Sequence, residues 1–374
     1  MAKKLKKNRI VNIKVIGVGG GGGNAVSRMT KSDLARHLEL IAINTDMQDL
    51  DHCLVKKRIY IGESLTKGLG TGMNPELGRQ AAEENRSEIV EALRDADLVF
   101  ITAGLGGGTG TGAAPIVAEA AREAGALTVA VVTKPFTFEG SQRIKIAQDG
   151  LARLKDKVDT LVVVPNDRIF GIIDKNTSLI KAFQAIDDVL GNAVKAVTEL
   201  LMIPGLVNVD FADIKTVMKD AGSAIIGVGV ATGADRSLKA VTAAVNSSLL
   251  ELSIEGAKGV LFCVSGRDLK MAEINEIAKT ISETIDQGAK IIFGAYHDRR
   301  LKPGQLKVTL IATGFNGIMT RPMTSLFATA SDEKSKIEPV LISADKNSHS
   351  KTAKNQKQGS DLWDIPAFMR RRKR

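Results

Sequence analysis

At 374 residues, 44% of them hydrophobic and 25% charged, the chain has the composition of a globular protein large enough for two domains. No run approaches the roughly 20 apolar residues of a membrane span, and the N-terminus MAKKLKKNRI lacks the apolar core of a signal peptide, so we expect a cytoplasmic protein. Ten basic residues in the terminal segments 1–10 and 370–374 account for the net charge of +10. The rest of the chain balances 42 basic against 42 acidic residues, which argues against a nucleic-acid-binding domain.

From Val11 onward, apolar strands alternate with amphipathic helices. The predicted strands are VNIKVIG (11–17), LELIAINTD (38–46), DLVFITAG (97–104), LTVAVVTKPF (127–136) and TLVVVPND (160–167), and the predicted helices lie near 24–36, 75–94, 111–124 and 141–155. Strands that are apolar on both faces and separated by helices are typical of a parallel, doubly wound sheet. Ligands bind such sheets at the carboxyl ends of the strands.

A long helix is predicted from about Ser178 to Met202, ended by Pro204-Gly205, and a second helix from about Phe211 to Lys219. The strands AIIGVGVATG, GVLFCVSG, AKIIFGAYHD and LKVTLIATGF follow, separated by helices near 237–251 and 270–285. We therefore predict an α/β protein in which 11–177 is the nucleotide-binding domain, 178–221 the central helical region, and 222–317 a smaller mixed α/β domain.

The two ends of the chain differ from this pattern. The basic residues 1–10 are predicted to be disordered, and residues 318–360 an extension and disordered linker that is rich in Ser, Lys, Asn and Asp. The segment 361–374 contains the single tryptophan of the sequence within an apolar cluster, Leu362, Trp363, Ile365, Phe368 and Met369. An apolar segment on a tether predicts a peptide that docks on a partner protein, with a ragged chain end as the plain alternative.

The stretch GLGGGTGTG (104–112) has six glycines in nine residues, directly after a predicted strand and directly before a predicted helix. Glycines at that position let the backbone approach a ligand closely, and the helix N-terminus favours an anion, so the stretch predicts a phosphate site. The GxxxxGK[ST] loop is excluded because no Gly-Lys pair occurs in the chain. The plain alternative is a tight turn that binds nothing.

A second glycine loop, GVGGGGGN (17–24), follows the first strand and matches GxGxxG. With Asp46 at the end of the second strand as a ribose-binding acid, this loop alone also fits a nicotinamide-dependent dehydrogenase. That alternative leaves GLGGGTGTG without a role. Four scattered histidines and the two cysteines, Cys53 and Cys263, suggest no metal site.

Three residues are candidates for recognising a base. Asn166 lies at a strand end, and Phe183 and Asp187 are four residues apart, so they share one helix face. A carboxylate can accept hydrogen bonds from both N1–H and the 2-amino group of guanine. On these residues alone, a core phenylalanine beside a solvated aspartate is the better interpretation. Glu139 and Arg143 have the same spacing and are either a surface ion pair or ribose and phosphate contacts.

The segment NVDFADIKTVM (208–218) places Asp210 and Asp213 three residues apart at the start of a helix. In one interpretation Asp210 is the N-cap and Asp213 stabilises the first turn, for about 1 kcal/mol. In the other, the two carboxylates polarise water for attack on a phosphate. The spacing does not decide between them.

These motifs together resemble the FtsZ family of tubulin-like cell-division GTPases. GLGGGTGTG is similar to the tubulin signature loop, and GVGGGGGNAV, VVPNDRI, NVDFADIKTVM and the terminal DIPAFMRRR are all similar to motifs of that family. The similarity runs from about residue 11 to 317 and resumes at the tail.

The resemblance implies a GTPase that binds GTP or GDP with Mg²⁺, polymerises head to tail, builds the division ring at midcell, and binds membrane tethers and regulators through 361–374. It implies phosphate contacts from Gly20, Gly21, Gly22, Gly23, Asn24, Gly106, Gly107, Gly108, Thr109 and Gly110, ribose and phosphate contacts from Glu139 and Arg143, and guanine contacts from Asn166, Phe183 and Asp187. It implies that Asn208, Asp210 and Asp213 reach the nucleotide of the neighbouring subunit, so that two chains build one active site.

Overall fold

The structure, a computed structural model, describes residues 11–171, 173–174, 177–203, 205–246 and 254–315. The predictions for residues 1–10, for the linker 318–360 and for the docking tail 361–374 lie outside the described residues. No helix within the described ranges is long and apolar enough to cross a membrane.

The first half of the fold alternates strands and helices. Its elements are β1 (Ile13–Val18), α1 (Gly19–Met29), β2 (Leu38–Asn44), α2 (Met47–His52), β3 (Lys57–Tyr60), α3 (Glu63–Thr66), α4 (Pro75–Glu84), α5 (Arg86–Leu93), β4 (Leu98–Gly104), α6 (Thr109–Glu123), β5 (Leu127–Lys134), α7 (Ser141–Lys155) and β6 (Thr160–Pro165). Short 3-10 turns cover Ala35–His37, Thr137–Glu139 and Asn166–Gly171.

These six strands form a parallel sheet in the order β3-β2-β1-β4-β5-β6. Val15 of β1 pairs with Leu40 of β2 on one side and with Phe100 of β4 on the other. Because the strands are parallel, their carboxyl ends meet at one edge of the sheet. The predicted doubly wound parallel sheet is confirmed.

The centre of the molecule is the helix α8 (Leu179–Met202), followed by α9 (Phe211–Met218). The Ser178 hydroxyl caps α8 by accepting from the Lys181 amide. Adjacent residues of β1 face opposite layers: Val15 lies in the core cluster that includes Val194 of α8, and Ile16 in the cluster that includes Val117 of α6. This alternation explains why the strand is apolar on both faces apart from Lys14.

The second half contains β7 (Gly222–Thr232), α10 (Arg236–Val245), β8 (Gly259–Gly266), α11 (Met271–Ser282), β9 (Lys290–His297) and β10 (Gln305–Thr313). β10 is antiparallel to β7 and β8, and β9 is parallel to β8, so this half is mixed as predicted. β7 pairs with β6 from Thr160 and Gly222 onward, which joins both halves into one ten-stranded sheet. The boundaries at 177/178 and 221/222 stay predictions.

Two helix predictions were wrong in their bounds. The helix predicted near 24–36 begins at Gly19 and ends at Met29, because glycines 19–23 themselves form its first turns. The single helix predicted for 75–94 is two helices that meet at Asn85. The Asn85 side chain accepts a hydrogen bond from the Gly62 amide, 2.9 Å away, and this non-local contact holds the break.

β3 and the short helices α2 and α3 were not predicted from the sequence. β3 is a four-residue edge strand that carries Lys57 and Arg58. Charged side chains are common on edge strands, where they oppose pairing with other chains, but they weaken the apolar pattern by which a strand is predicted.

Candidate functional site

Two helices begin at the carboxyl edge of the parallel sheet. α1 starts at Gly19, directly after β1, and α6 starts at Thr109, with four residues between it and the end of β4. Because β1 and β4 are neighbours in the sheet, the two helix N-termini lie side by side. Neither helix has a side-chain N-cap hydrogen bond or an acidic residue in its first turn. Their uncapped N–H groups and dipoles favour an anion at this edge.

A cavity of about 460 Å³ opens above these N-termini. Small-molecule sites typically have about 300–1,000 Å³. Most of the residues predicted to bind the nucleotide line this cavity: Gly20, Gly21, Gly107, Gly108, Thr109, Gly110, Glu139, Arg143, Asn166, Phe183 and Asp187. The fold therefore gathers residues from five separate segments of the chain around one space.

The glycines of the GLGGGTGTG loop differ in what surrounds them. A Cβ at Gly108 would lie 2.1 Å from the Thr71 hydroxyl, and one at Gly110 would lie 2.6 Å from the Gly104 carbonyl oxygen. A Cβ at Gly107 would meet no described protein atom within 4 Å. Gly108 and Gly110 thus allow close packing of the loop, whereas Gly107 leaves open space beside the cavity.

Four of the predicted phosphate contacts, Gly22, Gly23, Asn24 and Gly106, do not line the cavity. A Cβ at Gly22 would lie 2.3 Å from the Thr102 carbonyl oxygen, so this glycine lets α1 pack on β4. Gly106 has a φ of +101° and donates its N–H to the Thr111 hydroxyl at 2.9 Å, which closes the loop. These positions shape the site, and their predicted ligand contacts stay predictions.

Three threonines meet at the base of the cavity. The Thr109 hydroxyl lies 2.6 Å from that of Thr45 and 3.3 Å from that of Thr71. Thr71 belongs to the segment Leu69–Gly72, which lines the cavity but was not predicted. The sequence signal for it was available: GLGTG (68–72) repeats the glycine-threonine pattern of the main loop, and its three glycines all have positive φ.

An acidic corner lies beside Gly20. Asp46 caps α2 by accepting from the Asp49 amide at 3.1 Å, and both carboxylates line the cavity. The Asn44 amide donates to Oδ2 of Asp49 at 2.6 Å. Burial, and then the charge of Asp46, raise the pKa of the Asp49 carboxyl above its ordinary value. Sequence reasoning noted Asp46 but missed Asp49 and Asn44, because their side chains converge only once α2 is formed.

The opposite wall of the cavity carries the candidate base-binding groups. Phe183 is 44% exposed and meets Phe136 edge to face, with ring centroids 5.7 Å apart. Asn166 is buried, and its side-chain oxygen has no hydrogen-bond partner among the described residues. A buried acceptor without a partner costs free energy, so this oxygen suits a ligand that brings a donor.

Asp187 is also in this wall and pairs with Arg28 of α1, whose Nε lies 2.8 Å from Oδ2 of Asp187. Burial raises the pKa of the Asp187 carboxyl, and the hydrogen bond and charge of Arg28 act against that rise. Glu139 and Arg143 form the predicted i, i+4 pair, with Nη1 2.6 Å from Oε2, and both line the cavity.

The remaining predicted residues, Asn208, Asp210 and Asp213, lie in the segment 205–213, called here the acidic segment, and do not line the cavity. Phe183 and Met202 are 19 residues apart on α8, so at about 1.5 Å per residue the acidic segment follows the end of α8 that is about 30 Å from the cavity. Within one chain, these carboxylates are far from the cavity.

The capping interpretation of the two aspartates is confirmed. Oδ1 of Asp210 accepts from the Asp213 amide at 2.8 Å, and Oδ2 of Asp213 accepts from the Asp210 amide at 3.1 Å. This reciprocal capping box fixes the orientation of both carboxylates at the start of α9. Asn208 accepts from the Gly205 amide at 2.6 Å and is exposed.

Comparison with family models identifies both halves of the chain. The model described as "Tubulin/FtsZ family, GTPase domain" matches residues 12–174. The model described as "FtsZ family, C-terminal domain" matches residues 222–316.

Solved structures agree with this. An empty FtsZ dimer from M. jannaschii is 47% identical, with a TM-score of 0.77, over 82% of this chain and 89% of that one. An FtsZ mutant from the same organism is 47% identical with a TM-score of 0.75, over 82% and 91%. CetZ1 from Haloferax volcanii, a GDP-bound monomer, shares the fold at 23% identity and a TM-score of 0.71, over 83% and 96%.

Proposed function

Because this chain belongs to the FtsZ family of tubulin-like GTPases, we propose that it polymerises head to tail and hydrolyses GTP at sites completed between adjacent subunits. The chain is a GTPase of that family and binds guanine nucleotides. One observation carries the proposal beyond family membership: the cavity and the acidic segment lie at opposite ends of α8. The dehydrogenase alternative finds no support, since the matched domain is a GTPase domain and the GLGGGTGTG loop is part of the cavity.

The nucleotide would lie across the cavity with its phosphates above the N-termini of α1 and α6. Gly20, Gly21, Gly107, Gly108, Thr109 and Gly110 would contact the phosphates. Glu139 and Arg143, which also line the cavity, would contact the ribose and a phosphate.

Guanine would bind at the wall formed by Asn166, Phe183 and Asp187. The Asp187 carboxylate can accept from N1–H and the 2-amino group of guanine, a donor pair that adenine lacks. The partnerless oxygen of Asn166 suits a further donor on the ligand, and the exposed Phe183 ring can stack on the base.

Asp46 and Asp49, which line the cavity, would hold Mg²⁺. The described residues contain no group of three or more His, Cys, Asp or Glu able to hold a metal ion, so phosphate oxygens must supply further ligands, as is usual for Mg²⁺. The fit rests on two carboxylates that line one part of the cavity next to each other. A cation would favour the ionised form of Asp49 and so offset the effects of burial and of the Asp46 charge, which raise its pKa. When bound, Mg²⁺ offsets charge on the transferred phosphoryl group.

Asp210 and Asp213 of one subunit would orient the attacking water at the nucleotide of the next, with Asn208 beside them. Their capping box keeps both carboxylates in fixed orientations, which reduces the entropy cost of positioning a water molecule. A contact between the cavity end of one subunit and the acidic-segment end of the next is heterologous, and contacts of that kind generate open filaments.

We further propose that these filaments form the division ring at midcell, and that segment 361–374 docks on membrane tethers and regulatory division proteins. The apolar residues Leu362, Trp363, Ile365, Phe368 and Met369 would bury on the partner. The five basic residues that end the chain add attraction to acidic surfaces.

The test of the proposed function is phosphate release from GTP with Mg²⁺, measured as a function of protein concentration. If active sites form between subunits, the rate per molecule is near zero at low concentration and rises to a plateau above a threshold. A constant rate per molecule would mean that each chain hydrolyses GTP alone, and the roles of Asp210 and Asp213 would be withdrawn.

A further inference from the structure

A buried carboxylate joins the central helix to the sheet of the second half. Glu199 of α8 is 2% exposed and accepts three hydrogen bonds from that sheet and its last turn. Its donors are Lys307 Nζ at 2.6 Å, Arg300 Nη2 at 2.8 Å and the Tyr296 hydroxyl at 3.1 Å. We call Glu199, Tyr296, Asp298, Arg300 and Lys307 the buried charge cluster.

The buried charge cluster is electrically balanced. Arg300 also pairs with Asp298, with Nε 2.8 Å from Oδ1, so the cluster holds two cations and two carboxylates. Burial alone would raise the pKa of Glu199, but Lys307 and Arg300 outweigh it and the pKa is lowered. Glu199 is therefore ionised at neutral pH, and each of its contacts is a charge-assisted hydrogen bond.

The strand that contacts Glu199 also holds the acidic segment. Tyr296 lies on β9, where the preceding residue, Ala295, forms an antiparallel bridge with Val207. The Leu206 amide donates to the Ala295 carbonyl at 2.7 Å, and the Ala295 amide donates to the Val207 carbonyl at 3.1 Å. A Cβ at Gly294 would lie 2.8 Å from Val209, so β9 and the acidic segment are in close contact.

Leu200 of α8 lies in the core and Met202 and Ile203 pack against it, but open space also borders this end of the helix. A cavity of about 490 Å³ lies beside it, lined by Met202, Ile203, Tyr296 and Arg300 among others. Side chains that border open space can move without displacing neighbours, so polar contacts contribute more to the position of this end of the helix.

We propose that Glu199 is a positioning residue for GTP hydrolysis: held by Lys307, Arg300 and Tyr296, it sets the end of α8 against β9 and so places the acidic segment for the neighbouring subunit's nucleotide. The inference rests on the proposed function of Asp210 and Asp213. Glu199 itself touches no nucleotide: it lies 12 residues beyond Asp187 on α8, about 18 Å along the helix from its own chain's cavity, and its side chain is buried away from the neighbouring subunit.

The test is the variant Glu199→Gln in the full chain, studied well above the assembly threshold. We expect turnover to fall about tenfold or more, because small displacements of reacting groups cost that much, while GTP affinity stays within about twofold. Lys307→Met should give a similar loss, and the double variant no further loss, because both remove the same contact. Tyr296→Phe, which removes one hydrogen bond and no charge, keeps the test possible if Glu199→Gln does not fold, and should lower turnover about two- to fivefold.

A matched control is Glu273→Gln. Like Glu199, Glu273 pairs with a buried cation: its Oε1 lies 2.6 Å from Arg236 Nε. Unlike Glu199, it lies on α11, and this helix packs on the face of the sheet opposite to the face that Val209 and Ile214 contact. We expect Glu273→Gln to be less stable than the wild-type protein and to hydrolyse GTP at the wild-type rate. An equal loss of turnover in Glu273→Gln, or full turnover in Glu199→Gln and Tyr296→Phe, would overturn the inference.

Asp213→Ala, measured in parallel, separates the two levels of the proposal. If Asp213→Ala loses turnover and the Glu199 and Tyr296 variants do not, only the positioning role fails. If Asp213→Ala keeps full turnover, the proposed function of the acidic segment fails and the positioning role fails with it.

Discussion

Arg28 and Asp187, 159 residues apart in sequence, form an ion pair in which Nε lies 2.8 Å from Oδ2. The helix whose N-terminus faces the proposed phosphates thus also carries the cation that pairs with the proposed guanine-binding carboxylate. Through α1, the ion pair connects the part of the cavity proposed for the phosphates with the part proposed for guanine. It also opposes the effect of burial on the pKa of Asp187.

The variant Arg28→Met should make GTP binding more sensitive to acid. Without Arg28, burial raises the pKa of Asp187 further, and a protonated carboxyl cannot accept both guanine donors. Affinity therefore falls as pH decreases, and the fall begins at higher pH than in the wild-type protein. GTP titrations between about pH 7.5 and about pH 5.5 should show a difference of about 3- to 10-fold at the acid end. Lys31→Met, which removes an exposed cation nearby, is the control, and a wild-type pH profile for Arg28→Met would contradict the prediction.

Two adjacent glycines should respond to alanine in opposite ways. In Gly107→Ala the methyl group enters open space beside the cavity, so the free energy of unfolding should change by less than about 0.5 kcal/mol while GTP affinity falls about tenfold or more. In Gly108→Ala the methyl group meets Thr71 and the Asn74 backbone, which should destabilise the fold by about 1–3 kcal/mol or more. Urea unfolding and GTP titration measure both effects. Unchanged GTP binding by a stable Gly107→Ala protein would argue against phosphate contact at this position.

Two inactive variants should restore turnover when mixed. Asp213→Ala is expected to bind GTP but to lose most hydrolysis, and Asp213→Asn, which keeps a capping acceptor, controls for the loss of about 1 kcal/mol of helix capping. Asp187→Ala is expected to bind GTP about 10- to 100-fold more weakly while keeping its acidic segment intact. In the mixture, some interfaces combine the intact cavity of an Asp213→Ala subunit with the intact acidic segment of an Asp187→Ala subunit. Such an interface has all the groups proposed for hydrolysis. Phosphate release from the mixture should therefore exceed the sum of the separate rates; strictly additive rates would mean that the site does not span two chains.

Deletion of residues 362–374 should leave GTP turnover and filament formation unchanged. The segment lies beyond both matched domains, and the only role proposed for its apolar residues is to bind partner proteins. Binding to the membrane tethers of the division ring should be lost, as measured by co-sedimentation of filaments with each tether. The single change Phe368→Ser, which keeps the basic end, separates apolar docking from charge attraction. Retained tether binding by the deletion would place the docking site elsewhere.

Much of the fold was predictable because its signals are local. β8 was predicted with its observed bounds, and α7 likewise, since apolar runs and helix periodicity are read within a few residues. An N-cap was one of the two interpretations that the sequence left open for Asp210, and the structure has that cap. The break at Asn85 was not predictable, because its cause is the amide of Gly62, 23 residues away.

The sequence by itself determined that two glycine loops follow two strands of a parallel sheet, that two aspartates lie at the start of a helix after a long central one, and that the motifs resemble those of one family. Only the tertiary structure decided that β1 and β4 are neighbours, so that both helix N-termini face one cavity, and that GLGTG (68–72) completes it. It also decided that Arg28 meets Asp187 and that β9 holds the acidic segment. The reason is physical: turns, caps and strands depend on neighbours in sequence, whereas a site depends on the order of strands in the sheet and on the length and packing of the helix that crosses it.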